Sequence, residues 1–332
     1  MSTGTPQQLI DPFGRQVDYL RLSVTDRCNL RCVYCMNDDM TFLPRKDVLS
    51  LEELHQVAQA FVALGVRRIR LTGGEPLVRQ GLVTLVQKLS ALPVELSMST
   101  NGVLLQQQAH ALAAAGLARI NISLDTLRAD RFRALTRHGE LHDVLRGIHA
   151  ARDAGFARIK LNSVILRGHN DDEVLDLVNM ARALQVDISF IEEMPLGDIH
   201  THQRRQTFVG SDEIRARIND LFPLLKSPER TGGPSVYYRM ADSPIRIGFI
   251  SPHSRNFCAS CNRVRLTAAG RLLLCLGQEN SVDLRALLRT PDSNRETLMA
   301  AITDALQRKP QRHYFDLDEP TGIVRFMNMT GG

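Results

Sequence analysis

The chain has 332 residues, of which 43% are hydrophobic, and its 41 basic and 36 acidic side chains give a formal net charge of +5. This length predicts about two domains, and the apolar fraction is sufficient for a sizeable core. A peptide hormone, a coiled coil and a disordered tail are therefore excluded.

The amino-terminal segment predicts no secretory signal, because it lacks a basic stretch followed by an apolar run. No apolar stretch of the sequence approaches the roughly 18 to 20 residues that span a bilayer. We therefore expect a cytoplasmic protein. In a reducing cytoplasm, its six cysteines are expected to be metal ligands or catalytic groups rather than disulfides.

Six short aliphatic or β-branched runs, each followed by an amphipathic segment, predict a series of strand–helix units. The predicted strands are Tyr19–Val24, Arg68–Thr72, Val94–Thr100, Arg119–Leu124, Arg158–Ile165 and Asp187–Glu192. Apolar residues recur at helical spacing over 51–62 and 174–184, and Ser50 followed by Glu53 is the signature of a capping box. This alternation predicts a parallel sheet. Because six units are too few for a closed eight-unit barrel, we expect an α/β fold with a partial (βα)6 TIM-like barrel, and a doubly wound sheet is the alternative.

The pattern changes after the sixth predicted strand. A basic loop precedes a helix that we expect to be capped by Ser211 and to run to Phe222, and a stretch rich in proline and glycine then leads into shorter strand-like runs. A last helix is predicted around Arg295 to Leu306. These features predict a barrel domain over residues 1–224 and a smaller C-terminal α+β domain over residues 225–332.

All six cysteines lie in two groups of three, and the first group is a CxxxCxxC motif directly after the first predicted strand. The first group is Cys28, Cys32 and Cys35, and the second is Cys258, Cys261 and Cys275. Structural zinc requires four ligands, and neither group has a fourth cysteine or a histidine at zinc-finger spacing. A [4Fe–4S] cluster normally takes four thiolates, so three leave one iron able to bind another ligand. The spacing therefore favours two open-iron clusters over zinc.

The first cysteine group resembles the cluster-binding motif of the radical S-adenosylmethionine (AdoMet) superfamily. Tyr34, the aromatic residue before the third cysteine, fits that motif. The second predicted strand ends in Gly73-Gly74-Glu75-Pro76, which resembles the superfamily's Gly-Gly-Glu motif. A lone pair of glycines is usually only a turn, but two residues without a Cβ also permit close approach of a backbone. The resemblance implies a cluster whose free iron chelates AdoMet and releases a 5′-deoxyadenosyl radical from it.

The second cysteine group adds a more specific resemblance. It is followed by Arg263-Val264-Arg265, and the sequence ends in Gly331-Gly332. From about Tyr19 onward the chain resembles the GTP 3′,8-cyclase family, which catalyses the first step of molybdenum cofactor synthesis, because these motifs occur in the family's order. Ser99 departs from the threonine that is more frequent in the family but retains a hydroxyl.

The resemblance implies a role for each motif residue. The first cysteine group would hold the AdoMet cluster, and the second would hold an auxiliary cluster whose free iron binds the guanine of GTP. The AdoMet contacts would be Tyr34, Gly74, Glu75, Ser123 and Met194. The GTP contacts would be Arg21, Arg70, Ser99, Lys160, Arg263, Val264 and Arg265. Gly331 and Gly332 are expected to reach the mouth of the barrel and to support catalysis together with Arg263 and Arg265.

The basic residues also have simpler explanations. Arg21 and Arg70 each lie between aliphatic residues on a predicted strand, so each alone could be a solvated charge on a sheet face. Their position on strands that end at the cysteine and glycine motifs favours a ligand site, since arginine forms bidentate hydrogen bonds with phosphate. Burying Lys160 on a central strand would be costly without an anionic partner. His200 and His202 are expected to lie in an exposed loop that binds no metal.

The family resemblance implies a reaction and its partners. The radical would remove the C3′ hydrogen of GTP, the C3′ radical would attack C8 of guanine, and reduction would give 3′,8-cyclo-7,8-dihydro-GTP. The implied partners are an external electron donor and a downstream cyclic pyranopterin monophosphate synthase, and a homodimer is left open. A radical AdoMet peptide maturase is the alternative enzyme, although such enzymes commonly have more cysteines. A nucleic-acid-binding module is disfavoured because the sequence shows no basic helix face or aromatic platform, and no membrane partner is expected.

Overall fold

The six predicted strands form the centre of one open sheet. A computed structural model describes residues 8–317 and 322–331, and twelve strands of this part of the chain join that sheet. The central six are β1 (Tyr19–Ser23), β2 (Arg68–Thr72), β3 (Glu95–Thr100), β4 (Arg119–Ser123), β5 (Arg158–Val164) and β6 (Asp187–Ile191). They pair in parallel and in sequence order, as strand–helix units require. The predicted partial (βα)6 barrel is confirmed, with each strand end within one residue of its predicted position.

The later strands extend both edges of this central sheet. They are β7 (Leu224–Lys226), β8 (Val236–Met240), β9 (Ser243–Ile250), β10 (Arg263–Leu266), β11 (Arg271–Leu273) and β12 (Ser281–Asp283). β10 pairs in parallel with β1 and β9 with β6, and the remaining strands pair antiparallel beyond them. A sheet of only six strands would leave backbone N–H and C=O groups unpaired at the outer edges of β1 and β6, and here these edges pair with β10 and β9. The sheet runs across the predicted boundary between residues 224 and 225, and that division of the chain stays a prediction.

Helices cover the outer face of the sheet or connect its strands. They are α1 (Leu51–Ala63), α2 (Leu82–Ser90), α3 (Leu105–Ala114), α4 (Ala129–Thr136), α5 (Leu141–Asp153), α6 (Val174–Leu184), α7 (Arg204–Thr207), α8 (Ser211–Leu221), α9 (Leu284–Leu288), α10 (Arg295–Leu306) and α11 (Met327–Thr330). The capping box of α1 is confirmed: Ser50 Oγ accepts the Glu53 N–H at 3.0 Å, and Glu53 Oε2 accepts the Ser50 N–H at 2.7 Å. In the described ranges, no helix has the length and apolar character to cross a bilayer.

The start of α8 differs from the prediction. Its N-cap is Gly210, and Ser211 is the first residue of the helix. The Ser211 hydroxyl accepts a hydrogen bond from Ser251 Oγ at 2.7 Å, and the Ser211 N–H donates to Glu192 Oε1 at 2.9 Å. The carboxylate of Glu192 therefore satisfies this helix end in place of the predicted serine cap.

Alternate residues of the parallel strands face opposite sides of the sheet. On β1, Leu20 and Leu22 belong to the hydrophobic core under the helices, whereas Arg21 between them faces a cavity inside the curve of the sheet. The same alternation places Arg70 of β2 in the cavity and Ile69 and Leu71 in the core. The fold therefore collects polar side chains from successive strands on one concave face.

Candidate active site

One cavity on the concave face of the sheet extends to the carboxyl ends of the parallel strands and brings most of the predicted site together. All six cysteines lie on its wall, and none of them forms a disulfide. The other predicted residues on the wall are Tyr34, Gly74, Ser123, Met194, Arg21, Arg70, Ser99, Lys160, Arg263, Val264 and Arg265. Glu75 and Gly331 lie behind the wall, and Gly332 lies outside the described residues. Parallel barrels place their chemistry at this end of the strands.

The first cysteine group forms a compact loop after β1. The Cys35 N–H donates to the Cys32 carbonyl at 2.9 Å, and the Leu30 N–H points at Cys28 Sγ at 3.4 Å. Burial raises the pKa of the Cys28 thiol to about 11 and that of Cys35 to about 12. Three partly buried thiols in one loop have the donor chemistry of an iron–sulfur site, where iron stabilises the thiolate form. In the described part of the chain, no group of three or more His, Cys, Asp or Glu is gathered closely enough for a single metal ion.

The glycine pair after β2 serves the packing of this cysteine loop. A Cβ atom on Gly74 would overlap the carbonyl oxygens of Asp26 and Arg27, and one on Gly73 would overlap that of Thr25. The Gly74 N–H donates to the Thr25 carbonyl at 2.9 Å. The close backbone approach predicted for this motif is therefore made, in this structure, to the loop that carries the cysteines.

Glu75 is a buried acceptor for the chain's own donors. Its carboxylate accepts hydrogen bonds from the N–H groups of Leu77 and Asn101, at 2.9 and 2.6 Å, and from Thr100 Oγ1 at 2.7 Å. Burial raises the pKa of this carboxyl to about 7. These bonds tie the ends of β2 and β3 together, so the carboxylate shapes the wall from behind.

The hydroxyl of Tyr34 connects the cysteine loop to the end of β4. It donates to Asp125 Oδ2 at 2.5 Å, and Asp125 Oδ1 accepts the Val164 N–H at 2.8 Å. Burial raises the pKa of Asp125 to about 6. No role was predicted for Asp125, although it directly follows the predicted strand Arg119–Leu124. The contact fixes the position of the tyrosine ring on the cavity wall.

The basic residues form a row across neighbouring strands. Arg21 of β1 lies directly opposite Arg70 of β2 and Arg265 of β10 in the strand register. Burial lowers the pKa of Arg21 to about 10, and the neighbouring positive charges of Arg70 and Arg263 act in the same direction. Since guanidinium groups stay charged in proteins, such a row is unfavourable without an anion between its members.

The charge of the described cavity wall is strongly positive. Five of the described wall residues are Arg or Lys, whereas a single one, Asp125, carries a carboxylate. Burial lowers the pKa of Lys160, and the charge of Arg70 adds to this. Several buried polar atoms of wall residues have no hydrogen-bond partner: Arg21 Nε, Ser99 Oγ, Asn162 Oδ1, Arg263 Nε and His313 Nε2. Unpaired buried donors on a cationic wall fit a polar, anionic ligand.

The second cysteine group lies across the cavity on the segments around β10 and β11. The Cys258 carbonyl accepts a hydrogen bond from Arg15 Nη1 at 2.8 Å, and the Arg263 guanidinium lies 5.2 Å from the centre of the Phe257 ring. Burial acts to raise the pKa of the Cys261 thiol, but the charges of Lys309 and Arg263 outweigh it and the net shift is downward. This group also has the thiol donors that an iron–sulfur cluster uses.

The C-terminal segment packs against the first cysteine loop. The Met327 N–H donates to the Cys35 carbonyl at 3.2 Å, and Asn328 Nδ2 donates to the Asp26 carbonyl at 2.9 Å. The carbonyl of Gly331 accepts a hydrogen bond from Arg265 Nη1 at 2.6 Å. The described end of the chain therefore reaches the basic row through this bond.

The expectation of two exposed histidines is correct for His200 and wrong for His202. The side chain of His200 is 76% exposed, but that of His202 is 4% exposed and lies 2.7 Å from Glu193 Oε1. Arg204 Nε lies 3.2 Å from the same oxygen. A buried carboxylate requires such partners, and they hold the segment after β6 that carries Met194.

Several wall residues were not predicted to contact a ligand. Asn101 directly follows β3 and Asn162 lies near the end of β5, so the pattern did place both at strand ends. Phe257, His313 and Asn328 also line the cavity. Their segments carry no local pattern that indicates a site, because only the tertiary fold brings them to the strand ends.

Two protein-family models match the chain. The model of the Radical SAM superfamily matches residues 22–181, and the model described as Molybdenum Cofactor Synthesis C matches residues 186–315.

Curated relatives are similar over nearly the whole chain. GTP 3′,8-cyclase 2 of Pseudomonas aeruginosa is 59% identical over 327 residues, covering 98% of this chain and 99% of the relative. GTP 3′,8-cyclase of Pseudomonas entomophila is 59% identical over 330 residues, with the same two coverages. The enzyme of that name from Ectopseudomonas mendocina is 57% identical over 327 residues, covering 98% and 99%.

Solved structures share the fold at low sequence identity. SuiB of Streptococcus suis superposes with a TM-score of 0.62 at 14% identity, covering 90% of this chain and 68% of SuiB. SuiB bound to S-adenosylmethionine gives a TM-score of 0.58 at 13% identity, covering 92% and 76%. At these identities the likeness shows the fold alone.

Proposed function

The chain belongs to the GTP 3′,8-cyclase family of radical AdoMet enzymes, which acts in the first step of molybdenum cofactor synthesis, and we propose how its own residues serve that reaction. The observation that carries the proposal is the single cavity, whose wall holds two groups of three free cysteines and five basic side chains. The alternative of a peptide maturase is not favoured, because relatives over nearly the full length are GTP cyclases.

The first cysteine group would hold the [4Fe–4S] cluster that the superfamily uses with AdoMet. Its members are Cys28, Cys32 and Cys35. When bound, this cluster and AdoMet supply a radical that removes a hydrogen atom from the ribose of GTP. Tyr34, Gly74, Ser123 and Met194 would contact AdoMet, and Glu75 would support this wall through its bonds behind it. Fixing Tyr34 through Asp125 would keep this end of the cavity in one arrangement.

The second cysteine group would hold an auxiliary [4Fe–4S] cluster near the guanine of GTP. Its members are Cys258, Cys261 and Cys275. The basic row would bind the triphosphate, since Arg21 Nε in this row and Arg263 Nε near it are buried without a hydrogen-bond partner. Ser99 and Lys160 lie in one register row with Asn121 between them and would add further contacts to GTP. A ligand held in this way presents its ribose to the first group, and apolar wall residues such as Val264 would limit the access of water.

The remaining expectations stay proposals. They are an external electron donor, a downstream cyclic pyranopterin monophosphate synthase, a cytoplasmic location and a homodimer. The cytoplasmic location rests on the use of all six cysteines as free thiols.

The cluster content tests this assignment directly. After anaerobic reconstitution we expect about eight irons and eight sulfides per chain, the sum for two cubanes. Iron and sulfide analysis, with absorption spectroscopy, measures this. Stoichiometric zinc without iron–sulfur absorption would contradict both cluster assignments, and about four irons would contradict the auxiliary one.

Replacing Arg265 by alanine is expected to weaken GTP binding by about one to two orders of magnitude, and so is replacing Arg263 in a separate variant. The reason is that a charge-assisted hydrogen bond contributes roughly 1.5 to 3 kcal/mol. The affinity for AdoMet should barely change. Calorimetry with each ligand measures both affinities. A matched control is Arg271→Ala on the adjacent strand β11, where the guanidinium is half exposed and bonds to Ser281. Equal weakening of both ligands would show that these arginines shape the fold instead.

A further inference from the structure

Lys309 lies almost completely buried beside the second cysteine group. It follows α10 and is 3% exposed. Its Nζ donates to the carbonyl of Arg263 at 3.0 Å and to that of Leu274 at 2.5 Å. Arg263 is two residues after Cys261, and Leu274 directly precedes Cys275. The ammonium group therefore joins the two separate segments that carry the cysteines.

This ammonium has no compensating carboxylate in the described ranges. Its hydrogen bonds go to backbone carbonyls, and the neighbouring charged groups, Arg15 and Arg263, are also cations. Arg15 is neutralised by Asp11, with Nε and Oδ2 2.5 Å apart, but Lys309 has no such partner. An isolated buried ammonium is strongly disfavoured, so the surroundings of Lys309 require a negative charge that the described side chains do not provide.

The thiols of the second cysteine group can provide that charge. Cys261 Sγ lies 3.9 Å from the Arg263 carbonyl oxygen, the same atom that accepts the hydrogen bond from Lys309. Lys309 Nζ also bonds to the carbonyl of Leu274, the residue directly before Cys275. The ammonium therefore lies beside both chain segments whose thiolates would bind the cluster.

We propose that Lys309 is a positioning residue for the auxiliary iron–sulfur cluster, whose thiolate charge its buried ammonium compensates and whose reduction potential it raises. This inference rests on the proposed second cluster. Net charge and local electrostatics set the potentials of such clusters. Because reduction adds a negative charge, removal of a nearby positive charge disfavours the reduced state and moves the potential to a more negative value.

The test isolates the auxiliary cluster in the full chain. A parent variant carries alanine at Cys28, Cys32 and Cys35, so that only the second cysteine group can hold iron. In this parent, Lys309→Gln keeps an N–H donor for the carbonyls but removes the charge, whereas Lys309→Arg keeps the charge. Arg308→Gln is the matched control, because Arg308 is exposed and pairs with Asp304 on the surface. Iron analysis and a redox titration followed by electron paramagnetic resonance are the measurements.

We expect the midpoint potential of Lys309→Gln to be more negative than that of the parent, and those of Lys309→Arg and Arg308→Gln to be close to it. If Lys309→Gln loses the cluster while Lys309→Arg retains it, the requirement for charge is also supported. An unchanged potential in Lys309→Gln, or loss of iron from both Lys309 variants, overturns the inference. A parent without iron instead contradicts the auxiliary cluster itself, so the two failures are distinguishable.

Discussion

Replacing Cys28, Cys32 and Cys35 by alanine is expected to abolish the formation of 5′-deoxyadenosine and of cyclised product completely. The three thiols are the proposed cluster donors of this loop, and no other cysteine of the chain belongs to it. Thiolates are the protein ligands that these clusters use, so alanine leaves no replacement. Chromatography of the products with GTP, AdoMet and a chemical reductant measures the loss.

The matched control is the same substitution in the second group, at Cys258, Cys261 and Cys275. That variant should lose cyclisation and bind GTP more weakly, but it should retain a cluster of about four irons that still binds AdoMet. The structure separates the two groups by the basic row, which is the reason to expect independent effects. If the second substitution alone removed AdoMet binding, the assignment of the groups would be wrong.

Much of the central fold was predictable because its pattern is local. β1 to β6 are short buried strands between amphipathic helices, and the capping box at Ser50 marks a helix start within four residues. The pairing of β10 with β1 and of β9 with β6 was not predictable in this way. Short strands far apart in sequence carry no signal of their partner, and the unpaired edges of the central sheet decide where they bind.

In the candidate site, too, some features followed from the local sequence pattern and others depended on the tertiary structure. Residues within strands, such as Arg21 and Lys160, were placed correctly on the cavity because alternation along a strand fixes the face of a side chain. The contact between Glu75 and AdoMet stays a prediction, and the three hydrogen bonds that its carboxylate accepts from the chain itself were not predicted. The burial of His202 was missed because it depends on Glu193 and Arg204, whose approach is a tertiary feature. A motif identifies residue types, but the packing determines which atoms remain free for a ligand.

Disturbing the C-terminal glycines is expected to eliminate most of the cyclised product while cluster content and AdoMet binding stay intact. Gly331 has a φ of +69°, a conformation that residues with a Cβ rarely adopt, and an added Cβ would overlap the side chain of Thr72. Its carbonyl accepts the hydrogen bond from Arg265, a member of the basic row. Both deletion of Gly331 and Gly332 and the substitution Gly331→Ala should therefore displace this carbonyl and change the orientation of Arg265, which we propose binds GTP.

A frayed end is the simpler interpretation of two terminal glycines, and the structure argues against it at Gly331, which is buried against Thr72 and held by Arg265. Gly168→Ala is the control that distinguishes the effect of backbone strain from the effect of the contacts made at Gly331. Gly168 has a similar φ of +74°, but no atom lies within reach of an added Cβ. We expect Gly168→Ala to retain activity and Gly331→Ala to lose it, with 5′-deoxyadenosine and cyclised product measured in the same assay. Turnover of GTP at the wild-type rate by the truncated enzyme would show that the contact between Arg265 and Gly331 has no part in orienting the substrate.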